Sequence, residues 1–240
     1  MSVALIIPAL NEEAVVAAIV ERIPRDQVDE VIVVDNGSTD RTARVAAAAG
    51  ARVVSEPRRG YGFACWAGVQ ASTSEVLIFM DGDGSFDPGE VAALTAPLRA
   101  GQSDLVLGAR QRLGHGQGGV LPHQRLGNGL AIWLLRVLYG LRVTDLGPFR
   151  AICRASLLRL CMTEMTYGWP VEMMVKAARL HYRIVEVPIG HRPRQGGRSK
   201  VSGTLRGSVL AGYHIVRTVI KHSWIRQLGS ALNGDPADVA

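Results

Sequence analysis

Two carboxylates, Asp81 and Asp83, stand one glycine apart where the apolar run Val76-Leu77-Ile78-Phe79-Met80 stops. Asp and Gly are poor strand residues, so the chain should leave a sheet there in a turn that lets the carboxylate oxygens converge. Hard divalent cations such as Mg2+ and Mn2+ favour a few such oxygens supplemented by substrate phosphates, which makes Asp81-Gly82-Asp83 a candidate metal-diphosphate site. A calcium loop of the EF-hand kind would need a glycine and a glutamate where Phe86 and Ala92 stand, and is excluded. The competing reading is a solvated turn that only caps the next helix. Asp87-Pro88-Gly89-Glu90 supplies that cap, with Asp87 at the N-cap and Pro88 in the first helical position, so Asp87 is assigned to capping.

The elements that must position this turn follow a βαβ grammar. Val3-Ala4-Leu5-Ile6-Ile7-Pro8 has the continuous apolar character of a parallel strand covered on both faces, and Asn11 is the expected cap of the helix after it. Glu30-Val31-Ile32-Val33-Val34 repeats the pattern and stops at Asp35-Asn36-Gly37-Ser38-Thr39-Asp40; an Ala-rich helix then runs to Gly50. Ala51-Arg52-Val53-Val54 makes a third strand, and Arg58-Arg59-Gly60-Tyr61-Gly62 leads into a third helix. In such sheets ligands sit at the carboxyl ends of the strands, where the polar turns after Pro8, Asp35, Arg58 and Asp81 would share one edge. Neither a dinucleotide fingerprint nor a Gly-x-x-x-x-Gly-Lys phosphate loop is present.

Further on, Asp104 to Arg110 is expected as a strand, and Gly114 to Gly119 as a mobile loop, either a connector or a lid. Arg125 to Leu141 is a helix apolar enough to be core or to touch lipid, with core preferred. Thr144 to Arg150 is expected as a polar turn, and Val171-Glu172-Met173-Met174 opens a helix with both methionines buried. Ile184 to Ile189 alternates like a final strand. The tract that follows carries Arg192, Arg194, Arg198 and Lys200 among glycines and Ser199, which suits a phosphate or is a solvated charge run. Leu205 to Ile225 is amphipathic with a basic face, suited to an anionic membrane surface or to packing on the domain.

The totals bound the partners. At 240 residues, 48% hydrophobic and 20% charged, the chain is an ordinary globular protein of one or two domains. A net charge of +6 points to an anionic partner, and four Phe, five Tyr and four Trp leave little for base stacking, so nucleic acid is disfavoured. Cys65, Cys153 and Cys161 form no Cys-x-x-Cys pair, as expected of reduced thiols in a cytosolic protein. No signal peptide and no membrane-spanning run is expected.

Pro8-Ala9-Leu10-Asn11-Glu12-Glu13, Val34 to Asp40, Asp81-Gly82-Asp83, Asp145 to Arg150, Val171-Glu172-Met173, Glu186-Val187-Pro188-Ile189 and Arg198-Ser199-Lys200 occur in an order that resembles the family 2 glycosyltransferases. The resemblance covers roughly residues 3 to 205 and is closest to the dolichyl-phosphate mannosyltransferase and polyprenyl-phosphate hexosyltransferase group. It implies an α/β fold of GT-A (Rossmann-like) type: a mostly parallel central sheet flanked by helices, with a C-terminal amphipathic helix. The divisions expected are a GT-A domain over 1–204, a helix at the membrane surface over 205–228 and a disordered tail over 229–240.

The same resemblance implies inverting transfer of a hexose from GDP-mannose or a UDP-hexose to a polyprenyl or dolichyl phosphate. It places the protein in the cytoplasm, peripherally on the membrane, with homo-oligomerisation left open. Pro8, Leu10, Asn11, Glu12, Asp35, Asn36, Gly60, Asp81 and Gly82 would bind the donor nucleotide, and Asp81 and Asp83 would hold Mg2+ or Mn2+. Arg110, Arg125, Arg150 and Ser199 would bind phosphate, while Asp83, Glu172, Arg198 and Lys200 would be catalytic. The chain departs from the pattern at Asn36, where many relatives carry Asp, and at Ser85, where the mannosyltransferase group often carries Gln. A phosphate acceptor is already ionised at neutral pH and needs no strong base. A saccharide or lipid hydroxyl would need Glu172 or Asp145 to take its proton. An inactive nucleotide-sugar-binding scaffold is the reading from another class.

Overall fold

The computed structural model describes residues 1–112, 122–195 and 212–223, with only the backbone for 112 and 122–126. Among them, seven strands form one sheet in the order β3-β2-β1-β4-β6-β5-β7. These are β1 (Val3–Ala9), β2 (Glu30–Asp35), β3 (Arg52–Ser55), β4 (Val76–Phe79), β5 (Leu105–Arg112), β6 (Arg150–Cys153) and β7 (Ile184–His191). All neighbours are parallel except those of β6, which runs antiparallel to both β4 and β5.

The unbroken apolar runs follow from burial on both faces. Along β1, Ala4 and Ile6 face one core while Val3, Leu5 and Ile7 face the other, and β4 divides Leu77 and Phe79 from Val76 and Ile78 in the same way. One layer holds α1 (Val16–Glu21), α2 (Thr42–Ala48) and α4 (Val91–Arg99). The other holds α3 (Tyr61–Ala71), α5 (Pro122–Tyr139), α6 (Arg154–Arg159) and α7 (Trp169–Arg179). Met173 and Met174 are fully buried, as the apolar spacing predicts. Asp87 accepts a hydrogen bond from the Gly89 amide and starts the short 3-10 turn Pro88–Glu90, as its cap sequence predicts.

Three local expectations are corrected. Asn11 caps no helix: α1 starts at Val16, and Asn11 adopts a left-handed φ of 52°. Its Oδ1 accepts from the Thr39 amide and its own amide donates to Ser38 Oγ, which clasps the turn after β1 to the turn after β2. The polar turn expected over Thr144 to Arg150 ends at Arg150 in an unexpected strand, β6, which is only four residues long and pairs with both β4 and β5. And α5 is core on one face only: Ala131 and Leu135 are buried, whereas Leu130, Trp133 and Val137 are exposed.

A helix over residues 212–223, here α8, packs on this second layer. Val219 lies in its core, the Val219 carbonyl accepts from the Tyr139 hydroxyl at 2.6 Å, and His222 Nε2 approaches Glu172 at 3.5 Å. Tyr213 and Ile220 stay exposed. The rest of the expected C-terminal helix, the 229–240 tail and the Gly114 to Gly119 loop lie outside the described residues. No described helix is long and apolar enough to cross a membrane.

The start of α3 rests directly on the segment 163–168. The Phe63 amide donates to the Met165 carbonyl, and a Cβ on Gly62 would meet three backbone atoms of Glu164 and Met165 at 2.6 Å. Backbone cannot yield as a side-chain end can, so Gly62→Ala is expected to lose about 1–3 kcal/mol of stability. Chemical denaturation would measure it; a wild-type midpoint would contradict this contact.

Candidate active site

The strand register builds the site edge. Ala9 pairs with Asp35 and Asp35 with Ser55, while Ile6 pairs with Phe79, so the strands β1 to β4 end level and their following turns meet. They enclose a cavity of about 430 Å3 lined by Pro8, Leu10, Glu12, Asn36, Arg59, Gly60, Tyr61, Asp81, Gly82 and Asp83, with Tyr167 and Arg194 on the facing wall. All four polar turns expected to share one edge contribute to it.

Each turn is fixed by identifiable bonds. Asn36 uses its whole amide: Nδ2 donates to the carbonyls of Glu56 (2.9 Å) and Arg58 (2.7 Å), and Oδ1 accepts from the Gly60 amide (3.0 Å). A carboxylate, which only accepts, would turn two of these contacts into repulsions, so the departure from Asp at this position has an architectural reason. Glu12 is held from behind by Thr42 Oγ1, which accepts from its backbone amide at 2.8 Å. Asp35 accepts from the Ser38 amide and shapes its turn without lining the cavity.

The two central carboxylates differ in surroundings. Asp83 Oδ1 accepts from the Ser85 amide at 3.0 Å, and Oδ2 receives Arg194 Nε at 3.3 Å. Ser85 itself is buried and serves the turn through its backbone. Burial pushes the Asp81 carboxyl up from 3.8 to about 6, the Asp83 charge adds to the rise, and a hydrogen bond from the Tyr61 hydroxyl with the fields of Arg110 and Arg150 opposes it. Among the described residues no group of three or more His, Cys, Asp or Glu side chains is set to hold a metal. A divalent cation at Asp81 and Asp83 would complete its shell with ligand phosphate oxygens and water, the donor set that suits Mg2+ or Mn2+.

Several expected site residues are placed elsewhere. Arg150 is buried beneath the site, not open to a phosphate: its guanidinium donates to the carbonyls of Gly147 (2.8 Å), Pro170 (2.7 Å) and Leu146. Burial pulls its pKa down to about 10. It acts on the site only as a field beside Asp81. Arg110 is clamped by Asp145 through two 2.6 Å contacts and does not line the cavity.

Glu172, expected as catalytic, is wholly buried and away from the cavity. It accepts from the amides of Thr163 and Glu164 and from Thr163 Oγ1, and Lys176 Nζ lies 2.8 Å away. Burial would raise its pKa, yet hydrogen bonds from His222, Lys176 and Thr163 hold it well below the carboxylate range. It therefore anchors the segment that carries Tyr167. The side chain of Arg125, and Arg198, Ser199 and Lys200 altogether, lie outside the described residues.

Arg59, Tyr61 and Tyr167 are not among the expected site residues, and Arg194 is expected only as one cation of a tract suited to a phosphate. Arg59 and Tyr61 flank Gly60, whose φ of 150° turns the chain into α3, and that glycine was the signal that they border a site. Arg194 belonged to a basic tract in which nothing in composition distinguishes one arginine from the next.

A mostly parallel sheet with a level strand edge, and a paired-carboxylate turn facing a cavity there, is the architecture of the GT-A fold. The chain belongs to Glycosyl transferase family 2, whose profile matches residues 4–160. It is 43% identical over 211 residues to an uncharacterized glycosyltransferase of Mycobacterium tuberculosis, covering 88% of this chain and 94% of that one. It is 33% identical over 229 residues to the undecaprenyl-phosphate mannosyltransferase of Micrococcus luteus, with 88% and 91% covered. Among solved structures, glucosyl-3-phosphoglycerate synthase of M. tuberculosis in complex with Mn2+, UDP and glucosyl-3-phosphoglycerate superposes with a TM-score of 0.73 at 26% identity, over 92% of this chain and 80% of that one.

The raised Asp81 has a consequence for stability. Because its pKa is higher folded (about 6) than its usual 3.8, ionisation opposes folding: the metal-free chain loses stability as pH rises from 3.8 to 6, and the penalty is constant above. Asp81→Asn is therefore expected to stabilise the metal-free protein by about 1–3 kcal/mol at pH 7.5 and by almost nothing at pH 4. Melting curves in chelator at both pH values measure this; an equal gain at both would contradict it.

Proposed function

We propose that this glycosyltransferase moves a hexose, with inversion, from GDP-mannose or a UDP-hexose to a polyprenyl or dolichyl phosphate at a membrane surface. The observation that carries the reading is the absence of a spare base. Among the described residues lining the cavity the carboxylates are Glu12, Asp81 and Asp83, and each is engaged: Glu12 and Asp83 by Arg194, Asp81 by Tyr61. Asp145 and Glu172, the bases a hydroxyl acceptor would need, are committed to Arg110 and to the 163–164 turn. An acceptor that arrives already ionised, such as a phosphate, needs none of them.

In this reading Pro8, Leu10, Glu12, Asn36 and Gly60 surround the nucleoside, with Arg59 beside it, and Asp81 and Asp83 hold Mg2+ or Mn2+ against the diphosphate. The cation, when bound, offsets the charge that develops on the departing nucleoside diphosphate. Tyr61 keeps Asp81 oriented, and Arg110 and Arg150 temper the carboxylate pair from behind. Arg125, Arg198, Ser199 and Lys200 remain the proposed acceptor-side cations, and Asn11 and Asp35 shape the donor pocket through the turns they tie.

Peripheral membrane contact is supported by the exposed side chains Leu130, Trp133 and Val137 of α5 and Tyr213 and Ile220 of α8, near exposed Arg136, Arg217 and Lys221. Apolar side chains among cations suit an anionic lipid surface. The likeness to glucosyl-3-phosphoglycerate synthase favours a second reading, in which the acceptor is a small phosphorylated acid. Incubation with radiolabelled GDP-mannose or UDP-hexoses, Mn2+ and polyprenyl phosphate separates the two. Label is expected to pass into the organic phase, and only when the lipid phosphate is present. Label that appears only in a water-soluble product of phosphoglycerate, across all donors, would overturn the lipid acceptor.

A further inference from the structure

The cavity contains a cation of the chain's own. Past Ile189 the chain runs antiparallel to the carboxylate turn: Phe86 and His191 form an isolated bridge, the Arg192 amide donates to the Ser85 carbonyl at 2.9 Å, and the Gln195 amide donates to the Asp83 carbonyl at 3.2 Å. The Arg192 side chain reaches Asp87 at 3.6 Å, and the Gln195 side chain covers Gly84. This short ribbon carries Arg194 across the site. Its Nη2 lies 2.8 Å from Glu12 Oε1 on one bank and its Nε 3.3 Å from Asp83 Oδ2 on the other. The remaining nitrogen, Nη1, is buried with no hydrogen-bond partner among the described residues.

From these contacts we infer that Arg194 is a positioning residue, a built-in counter-cation that a divalent ion must displace from Asp83, so that metal binding and release of the 191–195 ribbon are one linked event. A divalent ion on Asp83 Oδ2 would lie beside the guanidinium that already approaches that oxygen at 3.3 Å, and the two cations repel there. A guanidinium bridging two carboxylates, with one nitrogen unsatisfied, leaves one negative charge uncompensated and its set of hydrogen bonds incomplete. It offsets part of the charge on Asp83, and a divalent cation would offset more, so Asp83 is the contact it yields. Because the ribbon that carries Arg194 is held to the carboxylate turn by hydrogen bonds from the Gln195 amide to the Asp83 carbonyl and from the Arg192 amide to the Ser85 carbonyl, the departure of Arg194 from Asp83 loosens that pairing.

The inference rests on Asp83 being a metal-holding carboxylate, and the test separates the two claims. Mn2+ titration of the full chain by calorimetry or electron paramagnetic resonance, without donor, compares wild type with Arg194→Gln, Arg194→Lys and Asp83→Ala. Arg194→Gln is expected to bind Mn2+ about threefold to thirtyfold more tightly, the scale of a partly buried ion pair, with Arg194→Lys in between. In the wild type, Mn2+ is expected to speed amide hydrogen exchange in residues 192–195, a response that a merely structural arginine would not give. Unchanged or weaker Mn2+ binding by Arg194→Gln, or unchanged exchange, overturns the inference when Asp83→Ala abolishes binding. If Asp83→Ala binds Mn2+ as the wild type does, the metal reading falls and the inference with it.

Discussion

The constraint on which the rest of the structure depends is the charge held at the end of β4. A strand buried on both faces delivers Asp81 and Asp83 to the floor of a cavity, and burial makes ionised carboxylates expensive there. The fold offsets that cost from three sides. Tyr61 and the Ser85 amide donate hydrogen bonds to the pair, Arg194 lies against Asp83, and Arg110 and Arg150 contribute their fields from below. A site so balanced suits a small, hard cation, and the structurally similar glucosyl-3-phosphoglycerate synthase was solved with Mn2+ and UDP.

Positioning this balance requires the two halves of the sheet to differ. The parallel half, β3-β2-β1-β4, ends level and supplies turns that line the cavity. Reversal at β6 places Arg150 opposite Phe79, two residues before Asp81, which brings a buried guanidinium to the site without exposing it. The facing wall is set by a separate chain of contacts. Glu172 fixes Thr163 and Glu164, Met165 seats the start of α3, His214 on α8 approaches Thr166 at 3.4 Å, and Tyr167 projects into the cavity from between them. The helix that bears exposed apolar residues is thus mechanically continuous with the wall of the site.

Much of this was legible in the sequence where a single physical cause dominates. Doubly buried strands read as unbroken apolar runs, polar turns after them fall on one edge by the rules of parallel sheets, and Asp87-Pro88 caps as its chemistry requires. The order of motifs carried the family, and with it the fold. What escaped was tertiary in origin. Four residues of β6 are too few to show a period, and Asn11 looks like a helix cap because a clasp between two turns uses the same side-chain chemistry. Glu172 and Arg150 have the residue types of a site yet are buried structural hubs, a distinction set by partners distant in sequence. Tyr167 and Arg194 reach the cavity from segments more than 80 residues beyond the carboxylates, and no local pattern announces that.

Where a divalent cation binds decides whether the carboxylate turn is a metal site. Anomalous diffraction from a crystal grown with Mn2+ and a nucleoside diphosphate locates the ion directly. A manganese peak is expected about 2 Å from an Asp83 carboxylate oxygen, with the diphosphate completing its shell and the Arg194 guanidinium withdrawn from Asp83. A fully occupied ion bound away from the Asp81-Gly82-Asp83 turn, or nucleotide bound there with Arg194 still on Asp83 and no metal between them, would contradict this.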